Sequence, residues 1–259
     1  MRKNYEQDYL KAKKYFIDTG ESLTKVSEKF NIHRGNFTRR LKEEGFIIEN
    51  KQNRVRFDNT VFDEIDTEEK AYWLGFIFAD GYVSDENHFE LSLGAKDFSH
   101  LQKFGRFLNY ESNVKLYGDR CRFVINNKHF TQALKKLGCI PRKSLVLEFP
   151  KRLRKDLISH FIRGYSDGDG CLYHIQPKKS LSLSFHLLGT EKFLSVCLTH
   201  FKLEHKKIYS YPNKGGVCSI QMSFKQALDV CSYMYKDANI LLERKYEKYN
   251  KIAVLRRNS

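Results

Sequence analysis

Alternation of apolar and polar positions marks four hairpins along this chain. Phe89, Leu91 and Leu93 alternate with Glu90, Ser92 and Gly94, and residues 82–84 precede them across a polar tip at 85–88. Cys121, Phe123 and Ile125 alternate with Arg120, Arg122 and Asn126, and residues 113–117 supply the partner strand across Gly118-Asp119. Further on, Leu181, Leu183, Phe185 and Leu187 alternate with Ser180, Ser182, Ser184 and His186, after a strand at 171–175. Finally, Cys218, Ile220 and Met222 alternate with Ser219, Gln221 and Ser223, paired with residues 206–211 across 212–216. A period of two gives every strand one greasy face and one polar face.

Helical spacing fills the gaps, over residues 97–108, 128–137, 191–201, 224–235 and from about 241. The order helix, hairpin, helix, hairpin, helix therefore occurs twice, which predicts an internal duplication. The fold class expected is α+β: two pseudo-symmetric α-β-β-α-β-β-α units with antiparallel saddle-like sheets, spanning 62–150 and 151–259, joined through 139–150. Residues 1–48 differ. Helices are expected at 5–18, 23–30 and 33–44, with Tyr9, Leu10, Lys13 and Phe16 near helical spacing in the first. Val26 and Phe30 face inward on the second, and Phe37 and Leu41 on the third. A short helix, a tight turn and a basic helix resemble a helix-turn-helix, whose last helix would direct His33, Arg34, Asn36, Thr38 and Arg39 at bases or phosphates. The polar stretch 49–61 reads as a linker, where Arg54 and Arg56 would track a nucleic-acid backbone.

Each unit opens on a nine-residue stretch, WLGFIFADG at 73–81 and IRGYSDGDG at 162–170. Aligned without a gap, both place Gly third, a small residue seventh, Asp eighth and Gly ninth. Residues 66–69 offer a capping box before the first, and the polar segment 151–159 reads as helix before the second. Gly75 with Ala79, and Gly164 with Gly168, lie four apart on one helical face, so two backbones can approach closely. Gly81 and Gly170 suit the left-handed turn that ends a helix. Asp80 and Asp169 would then sit at helix C-termini, where a carboxylate is disfavoured. Brought together, they form an oxygen-rich spot that Mg²⁺ would relieve.

These stretches resemble the motif of the LAGLIDADG homing endonucleases, in the monomeric form with two motif copies. The resemblance extends from about residue 66 to the C-terminus. It implies site-specific cleavage of double-stranded DNA with Mg²⁺ or Mn²⁺, of the kind tied to intron mobility, with Asp80 and Asp169 as metal ligands. By the same similarity Ala79 and Gly168 offer backbone carbonyls to the metals, and Lys143 and Lys245 are the best-placed basic residues near the two sites. The sixth motif position, often Asp in the family, is Phe78 in the first copy and Asp167 in the second. The resemblance also implies that the polar sheet faces enter a major groove. On them lie Glu90, Ser92, Lys115, Tyr117, Arg120 and Arg122 of the first unit, and Ser182, Ser184, His186, Ser219 and Gln221 of the second.

Charge agrees with such a partner. Lys and Arg number 46 against 31 Asp and Glu, a net +15 over 259 residues, which suits a polyanion. No long apolar run or secretory leader stands out, so a soluble cytoplasmic protein without membrane partner is expected. The six cysteines form no CxxC pair and read as reduced core residues. Two other functions fit the fold: a DNA-binding transcription regulator that no longer cuts, and an RNA-splicing maturase. Both acids are present, which argues against the first; the helix-turn-helix suits duplex DNA better than RNA. An intein is not expected, because no splicing segments flank the repeats.

Overall fold

The computed structural model describes residues 2–46, 57–175, 182–212 and 215–257, with the backbone alone at 2–4, 175 and 257. The chain divides into two compact units, Met1–Arg54 and Val55–Ser259. Arg54 and Arg56 lie outside the described residues. No helix among the described residues is long and apolar enough to cross a membrane.

The first unit is three helices, α1 (Arg2–Thr19), α2 (Leu23–Lys29) and α3 (Arg34–Glu43). Ser22 caps α2 by accepting from Lys25 N, and Asn31 adopts φ 48° in the tight turn before α3. Tyr9, Ala12, Val26, Ile32, Phe37 and Leu41 form the core. Leu10 falls outside this core and is exposed, because Tyr9 and Ala12 occupy the buried side of α1. Arg40 is also structural: its guanidinium stacks on Tyr9 and makes two 2.8 Å bonds to Glu6.

In the second unit, α4 (Glu68–Asp80) is followed by β1 (Gly81–Val83), β2 (His88–Gly94), α5 (Phe98–Phe107), β3 (Lys115–Tyr117), β4 (Arg120–Asn126) and α6 (Lys128–Leu137). The same order returns as α7 (Ile158–Asp169), β5 (Gly170–Ile175), β6 (Ser182–Gly189), α8 (Glu191–His200), β7 (Tyr209–Tyr211), β8 (Val217–Ser223) and α9 (Lys225–Tyr235), and α10 (Glu243–Arg257) follows. Both sheets are antiparallel with equivalent strand orders, β1-β2-β4-β3 and β5-β6-β8-β7. Alternation becomes burial directly: Phe89, Leu91 and Leu93 point inward on β2, and Cys121, Phe123 and Ile125 on β4. β3 and β7 are shorter than expected, and Asn113 belongs to a 3₁₀ turn.

The motif helices differ from expectation at both ends. Thr67, rather than Asp66, caps α4 by accepting from Lys70 N, while Asp66 pairs with Lys70 at 2.8 Å. No capping box forms, since the residue three beyond the actual cap is a lysine. Residues 151–154 are irregular, a 3₁₀ helix spans Lys155–Leu157, and α7 starts only at Ile158. Gly81 and Gly170 are extended, at φ −75° and −86°, not left-handed. The chain passes from helix straight into strand, and glycine is needed for space. A Cβ on Gly81 would stand 2.6 Å from Ile77 O, and one on Gly170 2.4 Å from Ser166 O.

Between α4 and α7 the small faces touch backbone to backbone. A Cβ on Gly75 would lie 2.0 Å from Phe161 O, and one on Gly164 only 1.9 Å from Tyr72 O. Neither carbonyl can move without bending its helix. Gly75→Ala or Gly164→Ala should therefore cost about 3 kcal/mol or more, the upper end for overpacking. Urea unfolding would show this as a lowered midpoint; an unchanged midpoint would mean that the helices are not this close.

Candidate active site at the ends of the paired helices

The helix contact brings two carboxylates to one place. A Cβ on Gly168 would lie 2.4 Å from Ala79 Cβ and 2.9 Å from Asp80 Oδ2, so the end of α4 rests against the end of α7. Asp80 faces solvent, yet protein crowds around its carboxylate. That crowding, with the charge of Asp169, pushes its carboxyl up to about 6, against partial relief from Lys245 and Lys143. Asp169 is also raised, by burial, while Lys143, the Tyr165 hydroxyl and Lys245 oppose the shift. Neither carboxylate forms an ion pair among the described residues. The exposure of Asp80 limits the size of its effect, whereas the crowding fixes its direction.

Lys143 and Lys245 meet the two helix ends in parallel ways. Lys143 is half-buried in a 3₁₀ turn and donates to Gly81 O, one residue beyond Asp80. Lys245 is buried at the start of α10 and lies within hydrogen-bond distance of four carbonyls of the α7 terminus: Ser166 (2.8 Å), Asp167 (2.6 Å), Gly168 (3.3 Å) and Gly170 (2.5 Å). A cation on exposed helix carbonyls offsets the dipole that two adjacent acids would worsen. Burial lowers the Lys245 ammonium to about 8, with Asp167 opposing that shift.

Sequence reasoning missed how Lys245 is held. Asp167 is buried, and its Oδ2 accepts from Tyr72 OH on α4 (2.7 Å) and from Leu242 N just before α10 (2.8 Å). Since the Tyr72 hydroxyl gives its proton to Asp167, His100 Nε2 must donate to Tyr72 at 3.0 Å. Midway along α7, fully buried Arg163 donates to Ile240 O (2.9 Å), Met234 O (2.8 Å) and Glu68 Oε1 (2.6 Å). Glu68 also accepts from Asn239 N at 2.7 Å. Arg244 forks onto Asp97 of the first half at 2.7 and 2.9 Å. These bonds fix the segment that carries Lys245. The sequence signal is the charged pair Arg163 and Asp167, four apart within the second motif helix.

Among the other expected site residues, Lys115, Tyr117, Arg120 and Arg122 are exposed on the first sheet, and Glu90 and Ser92 are half-buried. Glu90 is bonded to Arg122 through two contacts, one of them 2.7 Å. On the second sheet Ser182, Ser184 and Ser219 are buried, contrary to their expected exposure. Ser184 donates to Met222 O (3.2 Å), and Ser219 Oγ and Tyr211 OH share a 3.2 Å hydrogen bond. His186 and Gln221 are half-buried, and Tyr173 OH bonds His186 Nε2 at 2.7 Å. In the N-terminal unit His33, Arg34, Asn36 and Arg39 are exposed along α3 and Thr38 is half-buried, with Arg39 paired to Glu43 at 3.1 Å. Five cysteines are buried and Cys171 is exposed. A groove of about 710 Å³ lined by Ile65, Leu74, Ile140 and Phe149 shares no residue with the carboxylate pair.

No cluster of three or more His, Cys, Asp or Glu occurs among the described residues, so the donors here are the two carboxylates and nearby backbone carbonyls. This all-oxygen set fits a hard divalent cation rather than zinc. Asp80 and Asp169 are both crowded and, among the described residues, have no ion-pair partner, and the charge of Asp169 adds to the rise of Asp80. The Gly168 carbonyl is partly engaged by Lys245.

Asp80 titrates near 6 in the fold against an ordinary 3.8, so between these values the folded state holds the extra proton. Without metal, stability should fall as pH rises through that window. Asp80→Asn should remove this part of the slope and, in EDTA at pH 7.5, stabilise by on the order of 1 kcal/mol after discounting for solvent access. Chemical denaturation of both proteins from pH 4 to 8 measures it; identical slopes would contradict the raised carboxyl.

No protein-family model matches the chain. In sequence, 118 residues are 28% identical to the replication factor C small subunit of Methanocaldococcus jannaschii, covering 42% of this chain and 6% of that protein. The chain thus spans a small fraction of that relative's length. Similar solved structures include the LAGLIDADG homing endonuclease I-GzeII in complex with its DNA target, at 12% identity and TM-score 0.52, covering 75% of this chain and 92% of that one. The LAGLIDADG meganuclease I-CpaMI bound to uncleaved DNA matches at 14% identity and TM-score 0.51, over 75% and 93%. The meganuclease I-SmaMI bound to uncleaveable DNA matches at 13% and 0.52, over 75% and 91%. The chain has the LAGLIDADG homing-endonuclease fold, with both motif helices carried by one polypeptide.

Proposed function

We propose that this protein is a monomeric, site-specific endonuclease that hydrolyses phosphodiester bonds of double-stranded DNA with Mg²⁺ or Mn²⁺. The observation that carries this reading is the pair Asp80 and Asp169, held at touching helix ends with raised carboxyls and, among the described residues, no ion-pair partner. A fold stabilised for its own sake has no use for two such acids. Asp80 and Asp169, with the carbonyls of Ala79 and Gly168, would hold the metal, which when bound polarises a phosphate and lowers the pKa of a water.

The chain's own residues do the rest. Packing of α4 on α7 orients the two acids to serve opposite strands. Lys143 and Lys245 offset negative charge as a phosphate approaches, and Lys245, at about 8, can hold or release a proton near neutral pH. The outward sheet faces lie along the duplex, and α3 of the N-terminal unit extends the contact to a longer target through His33, Arg34, Asn36 and Arg39. The domain reading follows: 1–48 as a DNA-binding module, 49–61 as linker, and 62–150 and 151–259 as the two halves.

Incubating the protein with a randomised duplex library, with Mg²⁺ or EDTA, and sequencing the ends tests this. Metal-dependent ends at one recurrent sequence are expected. Asp80→Asn and Asp169→Asn should each lower double-strand cleavage by at least about a hundredfold, the loss typical of removing a group that stabilises developing charge, with binding nearly unchanged. Retention of one sequence without cutting would point instead to a DNA-binding regulator.

A further inference from the structure

The two sheets share a topology but not a surface. Strand registers fix which residues face outward. On the first sheet, Glu90 stands opposite Val124, Ser92 opposite Arg122, and Lys115 beside Arg122 on the far edge, with Arg120 next to Tyr117. On the second, Tyr173 stands opposite Ser184, His186 between Cys171 and Gln221, and Leu188 beside Ser219, which pairs onward with Tyr209. Among the described residues the outward strand positions of the second sheet include no Lys, Arg, Asp or Glu. The equivalent face of the first carries Lys115, Arg120, Arg122 and Glu90.

The chemistry of these groups is specific. Glu90 accepts from Nε and Nη2 of Arg122, which holds the guanidinium and leaves Nη1 and the second Nη2 hydrogen as its free donor pair. An arginine fork matches the O6 and N7 acceptors of guanine, and a carboxylate accepts from the N4 amine of cytosine. Arg120 adds a second exposed fork two residues away on the same face. Exposed tyrosines occur on both faces, Tyr82 and Tyr117 on the first and Tyr173 and Tyr209 on the second; what differs on the second is the Gln221 amide, which matches adenine N6 and N7, and the exposed Leu188, whose apolar surface suits a thymine methyl. His186 adds no charge there, since burial lowers its pKa.

We infer that the two sheets read half-sites of unlike composition, the first sheet G·C pairs through Arg120, Arg122 and Glu90, the second sheet A·T pairs through Gln221 and Leu188. This rests on the reading of the protein as a DNA endonuclease and adds what its target contains. Phosphate neutralisation is also unequal. Among strand residues it falls mainly to the first sheet, so salt should weaken contacts to the G·C arm more steeply.

The test is a binding selection. The full chain, in EDTA so that nothing is cut, is mixed with a randomised duplex library, and bound DNA is sequenced for wild type, Arg122→Ala and Gln221→Ala. Thermal melting of each variant checks that it folds. A consensus with G·C pairs concentrated in one arm and A·T pairs in the other is expected. Arg122→Ala should relax preference at one G·C position by roughly tenfold, as loss of one bidentate contact would, and leave the other arm unchanged. Gln221→Ala should relax only the A·T arm. G·C pairs spread evenly over both arms, or relaxation of the A·T arm by Arg122→Ala, would overturn the inference while leaving DNA recognition intact. Enrichment of no sequence by any of the three proteins would overturn sequence-specific recognition and this inference with it.

Discussion

Contact between two helices that carry no side chain at their crossing sets the rest of this molecule. Gly75 and Gly164 each lie where a single methyl would stand about 2 Å from a carbonyl of the other helix. Only glycine allows that approach, and it brings the two C-termini together along with their acids. Leaving each helix directly into an extended strand, at Gly81 and Gly170, then aims both sheets from the same point. One constraint on backbone distance thus positions the acids and sheets together.

Acids gathered at helix ends are electrostatically costly, and the surrounding structure is arranged to limit that cost. Lys143 and Lys245 settle on the exposed carbonyls, one per helix. The two are not held alike. Lys245 stands on a helix whose start is fixed by Asp167 and whose preceding segment is fixed by Arg163 and Glu68. Lys143 follows Arg142, at φ 56°, in a short turn. The corresponding residue to Asp167 in the first half is Phe78, whose ring packs against Phe161 at 5.2 Å instead of tethering a helix. Pseudo-symmetry of the backbone therefore accompanies real chemical difference between the halves, at the helix ends and again on the sheet faces.

Much of the fold was legible because it rests on short-range patterns. Alternation in 89–94, 120–126 and 217–223, broken only at Val124 and Val217, is a local signal, and its repetition after each motif marks the duplication. Asp80 and Asp169 were legible for the same reason, since a fixed nine-residue frame relates them. What was not legible depends on partners far away in sequence. Arg163 meets Ile240, 77 residues on, and Asp167 meets Leu242, 75 residues on. Asp-Gly after a helix suggests a left-handed Gly81 and Gly170; only the strand that follows shows that space, not φ, demands glycine. Ser182, Ser184 and Ser219 were read as exposed from alternation alone, which gives the face of a residue but not whether larger neighbours cover it.

Asp80 and Asp169 are the proposed cation ligands. Titrating Mn²⁺ into the DNA-free protein while following its thermal midpoint examines this directly, comparing wild type with the Asp80→Asn, Asp169→Asn double variant. A midpoint that rises with Mn²⁺ in the wild type and stays flat in the variant is the expected result. An equal rise in both, or none in the wild type, would contradict it.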